Sequence, residues 1–306
     1  MNQVSINRAS NEICSQGFTS IPVTNIMPSI RGVHEGFQSI LGSFELQKEF
    51  TINPLEYNHD ELGEPYEVGL LQEKKGELKI GKAAGFFDKA AGRMSEDAHK
   101  HRFHYSRVLR SKLSSDVILK HERFLSSLAS LNEGALVYTK AIASEIDKRN
   151  ALLSETDPKK YLGTLSERLI NAQVITRLIR YEDIEGSLPD AQVHRDRALF
   201  TFHHYASAIG LCLFDKKKQS HHVDEMNPRS LTIFTGEKFW GITRGVFGTG
   251  VPHGAIDQRR TAGICMKKKR FVIVSFVHSL LTKEDQAWIR SHISKIRLTQ
   301  KEYVIC

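Results

Sequence analysis

Val193-His194-Arg195-Asp196-Arg197-Ala198-Leu199-Phe200-Thr201-Phe202-His203 opens with two metal-ligating side chains two residues apart and runs on into β-branched and aromatic residues. Alternate side chains of a strand share a face, so His194 and Asp196 are expected to point the same way. Short apolar runs recur on both sides: Val174–Ile179, Ala198–His203, Leu211–Phe214, Leu231–Thr235, Gly241–Thr243, Gly263–Met266 and Phe271–Val277, punctuated by Gly, Pro, Asp and Lys. That spacing indicates an all-β sandwich or barrel rather than alternating βαβ units.

Upstream the pattern changes. Gly17–Val23 reads as a short strand ended by proline. Residues 57–93 are rich in Gly, Glu and Lys and read as loop with short elements. Phe124, Leu128, Leu131, Ala135, Tyr138, Ile142 and Ile146 step by three and four, as one face of a long helix does. A second helix is expected over Pro158–Leu169, capped by Thr156 or Asp157. At the other end, Thr282-x-x-Asp285 reads as a capping box for a helix in which Trp288 or Ile289, Ile293 and Ile296 keep helical spacing. The expected organisation is α+β and mainly β. A mixed, helical N-terminal region (1–165) packs on a jelly-roll core (166–280), followed by a C-terminal helix and tail (281–306).

Composition narrows the function. The 306 residues are 40% hydrophobic and 25% charged, an ordinary globular balance. No run reaches the ~18 apolar residues of a membrane span. The first five residues lack the basic and apolar pattern of a secretory signal. Cys14, Cys212, Cys265 and Cys306 form no CxxC pair, which favours a reduced, cytoplasmic setting over a disulfide scaffold. The net charge is +8, but its densest runs, Lys216–Lys218 and Lys267–Arg270, lie between apolar runs, as solvated turns do. No aromatic interleaving accompanies them, so nucleic acid is not the expected partner. A third ligand to complete His194 and Asp196 is His253, in Val251-Pro252-His253. Two imidazoles and a carboxylate on one face of an octahedron suit Fe(II) and leave positions open for a co-substrate and O2. Of the other histidines, His203 and His204 are expected on opposite faces of one strand, His221 and His222 at a turn, and His101, His104 and His121 at the surface. Phe202, Phe214, Phe234 and Phe276 are expected to fill the barrel.

Residues 174–262 resemble the catalytic core of the isopenicillin-N-synthase-like 2-oxoglutarate/Fe(II) oxygenases. Arg177-Leu178-Ile179-Arg180-Tyr181 is similar to the family's strand ending in Asn-x-Tyr, with Ile179 in place of the Asn. His194-x-Asp196 with Thr201, then Gly210-Leu211, Leu231–Glu237, Thr243-Arg244-Gly245 and Pro252-His253 follow the family's order. The resemblance implies that His194, Asp196 and His253 hold Fe(II). It also implies that 2-oxoglutarate is clamped by Arg259 and Thr261, with Tyr181 as a hydroxyl contact near the metal-bound end. Arg259 follows His253 at a shorter distance than the family shows, and Arg260 and Arg270 are the alternative clamps. The implied activity is oxidation of a C–H bond of a small molecule by O2: hydroxylation, desaturation or cyclisation of a metabolite or natural-product intermediate. An acidic substrate is expected, with Arg180, Arg195, Arg197 and Arg244 near the mouth. Two alternatives stay open: an Fe(II) oxidase of the same fold that dispenses with 2-oxoglutarate, and a jelly-roll binding protein without turnover.

Overall fold

The three-and-four stepping and the alternating pattern separate into two layers in the computed structural model of the chain. It describes residues 3–24, 26–50, 57–58, 65–66, 69–72, 100–158, 160–161, 163–181, 191–224, 226–255, 270–279 and 281–292. In chain order these form α1 (Gln3–Gln16), β1 (Phe18–Pro22), α2 (Met27–Gly42), α3 (Phe44–Phe50), β2 (Tyr57–Asn58), β3 (Pro65–Tyr66), β4 (Gly69–Gln72) and β5 (Lys100–Tyr105). Next come α4 (Arg107–Lys112), α5 (Ser115–Lys120), α6 (Glu122–Ala151), β6 (Gln173–Tyr181), β7 (Ala191–His194), β8 (Phe200–Ala206), β9 (Leu211–Phe214) and β10 (Ser220–His222). The chain ends with β11 (Ser230–Thr235), α7 (Glu237–Ile242), β12 (His253–Ala255), β13 (Arg270–His278) and α8 (Lys283–His292).

Among the described residues, one sheet runs β1-β11-β8-β13-β6-β5-β4 and a second runs β10-β9-β12-β7. From β6 onward the chain passes between them: β6, β8, β11 and β13 belong to the large sheet, and β7, β9, β10 and β12 to the small one. Every pairing is antiparallel. The outer face of the large sheet is covered by α6, whose Phe124, Leu128, Leu131, Ala135, Ile142 and Ile146 are buried as their spacing requires. Each of these side chains other than Ala135 contributes roughly 1.5–3 kcal/mol by leaving water. The N-terminal region adds edges to the sheet: β1 pairs with β11, and β5 with β6.

A polar seam runs through this apolar interface. Asn132 on α6 donates to the Val174 carbonyl and is bonded to Thr176; Thr176 meets the Ser275 hydroxyl, which lies 2.8 Å from His204 Nε2. Burial, with a smaller push from His203, lowers the His204 imidazole to about 3. The folded protein therefore holds this ring neutral. Its contribution is full above the ordinary histidine pKa and is lost as pH falls from 6.5 toward 3. At roughly 1.4 kcal/mol per pH unit, the fold is expected to lose about 3 kcal/mol by pH 4.5 from this residue. Urea midpoints measured from pH 7 to 4.5 test this; an equal slope in His204→Gln would exclude it.

Several sequence expectations hold: β1, α6, β6, β8, β9, β11, β13 and the capped helix α8. Thr282 N–H donates to Asp285 Oδ2 and Asp285 N–H to Thr282 Oγ1, at 3.0 and 3.1 Å. Others need correction. In place of a helix over Pro158–Leu169 there are turns and a single 3-10 turn, Glu167–Leu169. Asn150 and Asp147 of α6 take the backbone N–H groups of Tyr161, Leu165 and Ser166, and Gly163 adopts φ +72, so this segment is tied down in non-helical form. Gly241–Thr243, which reads as a strand, closes and follows α7. Gly263–Met266, Ile293 and Ile296 lie outside the described residues, as does most of 57–93.

Candidate metal centre

His194 ends β7, and its partner across the ladder is His253, the first residue of β12. Antiparallel partners share a face, so pairing alone brings the two rings together, with centroids 4.3 Å apart. Asp196 lies just past the end of β7. It shares the site through the loop that follows, a correction to the expectation that both ligands sit on one strand. That loop is braced by the start of α7: Glu237 N–H donates to the Asp196 carbonyl at 2.8 Å, and Gly236 N–H to the Leu199 carbonyl at 3.1 Å. Gly236 has to be glycine, because a Cβ there would stand 2.6 Å from the Asp196 carbonyl oxygen and closer still to that of Ala198. Arg195 Nε donates to the Gly250 carbonyl at 3.3 Å and ties the two ligand-bearing loops together.

The ligand atoms of His194, Asp196 and His253 all lie within 4.8 Å of one another. His253 Nε2 is 3.4 Å from Asp196 Oδ2, and His194 Nε2 is 3.6 Å from Oδ1. The orientations of His253 and Asp196 are fixed from behind. His253 Nδ1 is 3.1 Å from the Val251 carbonyl, which makes Nδ1 the protonated nitrogen and leaves the Nε2 lone pair facing Asp196. The Thr201 hydroxyl donates to Asp196 Oδ2 at 2.6 Å. Burial pushes the His253 imidazole down to about 4, with Asp196 opposing and His194 adding to the shift, so the ring is neutral and free to ligate at pH 7. For Asp196, burial alone would raise the carboxyl. His253, His194, the Thr201 bond and the Arg177 charge together bring it below the usual carboxylate value. His253 is buried and packs on Phe234 at 4.6 Å, whereas His194 is exposed, so the centre is open on one side. Two imidazoles, one carboxylate and an open side form a donor set suited to a divalent transition metal.

The other site expectations divide. Tyr181 ends β6 and is paired in register with Arg270, whose guanidinium lies 5.5 Å from the Tyr181 ring centroid. Arg270 closes a run that reads as a solvated lysine turn; it is instead buried, opening β13, with Nε donating to the Ala208 carbonyl at 3.2 Å. Gly210 lies against it, and a Cβ there would come within 3.3 Å of the guanidinium carbon. Arg259, Arg260 and Thr261 lie outside the described residues. Two of the arginines expected at the mouth are engaged elsewhere. Arg180 bonds Gln38 on α2, and Arg244 pairs at 3.0 Å with the buried Asp285 of α8, which also takes Arg168. His104, expected at the surface, is buried on β5. Sequence reasoning misses Arg177 and Phe276 as residues of the site. Period two is the signal that could find the first, since Arg177, Ile179 and Tyr181 share a face.

No protein-family model matches the sequence, and no curated protein does. Solved structures do match in fold. A protein of Shewanella oneidensis provisionally assigned as an oxygenase is 16% identical with a TM-score of 0.66, over 97% of this chain and 97% of that one. The dioxygenase for auxin oxidation 1 of Arabidopsis thaliana, solved with 2-oxoglutarate, is 13% identical with a TM-score of 0.58, over 91% of this chain and 89% of that one. A full-length protein of Neurospora crassa, solved with the same co-substrate, is 12% identical with a TM-score of 0.57, over 90% of this chain and 79% of that one. At these identities the likeness establishes a shared fold.

Proposed function

We propose that this chain is an Fe(II)- and 2-oxoglutarate-dependent dioxygenase that oxidises a C–H bond of a small molecule on a double-stranded β-helix. The observation that carries the reading is the convergence of His194, Asp196 and His253 within 4.8 Å in a fold shared with structures that hold 2-oxoglutarate. The alternation of β6–β13 between two sheets fits that architecture. The three-part division at 165 and 280, and a cytoplasmic location, are carried as part of the proposal. Among the described residues no helix is long and apolar enough to cross a membrane.

His194, Asp196 and His253 would hold Fe(II), which with 2-oxoglutarate and O2 would supply the oxidant for the C–H bond, the co-substrate leaving as succinate and CO2. The protein's own work is positional. Thr201 fixes the Asp196 carboxylate, and the Val251 carbonyl fixes the His253 tautomer. The far carboxylate of 2-oxoglutarate needs a fixed planar cation, and we assign it to Arg270 with the Tyr181 hydroxyl rather than to Arg259 and Thr261. Arg270 is buried, oriented through Ala208 and registered with Tyr181. Val272 stands where a clamp of the Arg-x-Ser/Thr kind has its hydroxyl, so Tyr181 takes that part.

Purified protein supplied with Fe(II), 2-oxoglutarate and O2 is expected to release succinate slowly even without substrate. The release should stop under nitrogen and in His194→Ala. The absence of both succinate and the visible band of the iron–2-oxoglutarate chelate would remove the proposal.

A further inference from the structure

The pairing registers place one row of side chains across the large sheet. Ser20 faces Thr232, Thr232 faces His203, His203 faces Val274, Val274 faces Arg177, and Arg177 faces His104. Directly paired residues of antiparallel strands project to the same side, so these six share a face. It is the metal's face. Phe234 and Thr201, two positions along from Thr232 and His203, pack on His253 and bond Asp196. The opposite face holds Thr176 and Ser275, which meet Asn132 of α6.

Arg177 is the strong cation of this row. It is half-buried, so a ligand in the interior can reach it, and its guanidinium lies 4.8 Å from the Phe276 ring centroid. Stacking on a ring holds the guanidinium plane while its edge donors face outward to hydrogen-bond. Phe276 pairs with Thr201, the residue that orients Asp196, so the stacked group stands beside the centre. Arg270 and Tyr181 lie at the far end of the same two strands, four residues from Arg177 along β6. Among the described residues the inner face therefore carries Arg177 as a second cation, set apart from the Arg270 and Tyr181 pair.

We propose that Arg177, stacked on Phe276 and flanked by His104, binds a carboxylate of the prime substrate and presents its apolar body to the metal centre. This rests on the dioxygenase reading and deepens it to a substrate class: acids with an apolar or aromatic body. The apolar walls beside Arg177, Val274 and Phe276, suit such a body, and the planar fork of a guanidinium suits a carboxylate.

The test uses the full chain under nitrogen with Fe(II) and saturating 2-oxoglutarate. Phenylacetate and cyclohexylacetate are titrated against their neutral amides, and perturbation of the visible chelate band is followed. Wild type is expected to bind at least one acid more tightly than its amide by about tenfold or more, as loss of a charged hydrogen-bonded pair implies. Arg177→Gln should bring acid and amide within about twofold while the band itself forms normally, and Arg177→Lys should keep most of the preference. A purely structural role for Arg177 would not move the acid-to-amide ratio. The proposal is overturned if Arg177→Gln keeps the preference, if wild type binds neither acid, or if the acids abolish the band by displacing 2-oxoglutarate instead of perturbing it. Absence of the band in wild type points to failure of the dioxygenase reading itself.

Discussion

Asp196→Ala is expected to strip the centre of its metal. The carboxylate supplies the site's one formal negative charge, and both imidazoles aim their Nε2 atoms at it, at 3.4 and 3.6 Å. Loss of a ligand should weaken Fe(II) binding well beyond the roughly 10–100-fold that loss of an outer partner costs. Thr201→Val removes such a partner, the 2.6 Å bond to Oδ2, and should fall within that range. The metal-free fold should lose some stability in Asp196→Ala, because the folded site holds this carboxyl below its usual pKa and its bond from Thr201 goes with it. Anaerobic Fe(II) titration, with urea unfolding of the metal-free proteins alongside, separates these outcomes. Metal affinity within tenfold of wild type in Asp196→Ala would exclude the three-residue centre.

The parts of this architecture that were legible are those governed by local period. Steps of three and four from Phe124 give α6, and alternation gives β6 and β13. A tripeptide with two ligating ends led to the centre because a strand end and the loop after it can still aim side chains at one point. What failed did so for tertiary reasons. The segment after Pro158 has a helix-compatible composition, but Asn150 and Asp147 on α6 capture its N–H groups and hold it open. Gly241–Thr243 looks like a strand only out of context; Gly236 lets α7 begin hard against the Asp196 loop, and the helix runs on into those positions. Positive charge misled most. Arg244 is expected at the mouth, yet Asp285, 41 residues on in the sequence, takes it inward. Arg270 looks like the end of a lysine turn, yet pairing with Tyr181 turns it into the sheet. Neither outcome is visible in a window of ten residues, because the deciding partner is distant in the chain.

Arg270 is therefore where the largest change in co-substrate use is expected. Its guanidinium is buried, steered by the Ala208 carbonyl and stacked toward Tyr181, so the remaining donors point along fixed directions. Two charge-assisted hydrogen bonds to a carboxylate at roughly 1.5–3 kcal/mol each make Arg270→Met raise the 2-oxoglutarate concentration for half-maximal succinate release by about 100-fold or more. The methionine fills much of the vacated volume, so unfolding midpoints should move little by comparison. Fe(II) binding without co-substrate should be unchanged, since Arg270 is not part of the ligand cluster of His194, Asp196 and His253. Arg270→Lys keeps the charge but loses the two-pronged geometry and should fall between. Tyr181→Phe should show a smaller rise of the same kind, about tenfold for one lost hydroxyl bond. The control is Arg259→Met. If that variant produces the 100-fold rise while Arg270→Met leaves half-saturation where it was, the clamp lies in the chain between β12 and β13, and the register of Arg270 with Tyr181 serves the fold alone.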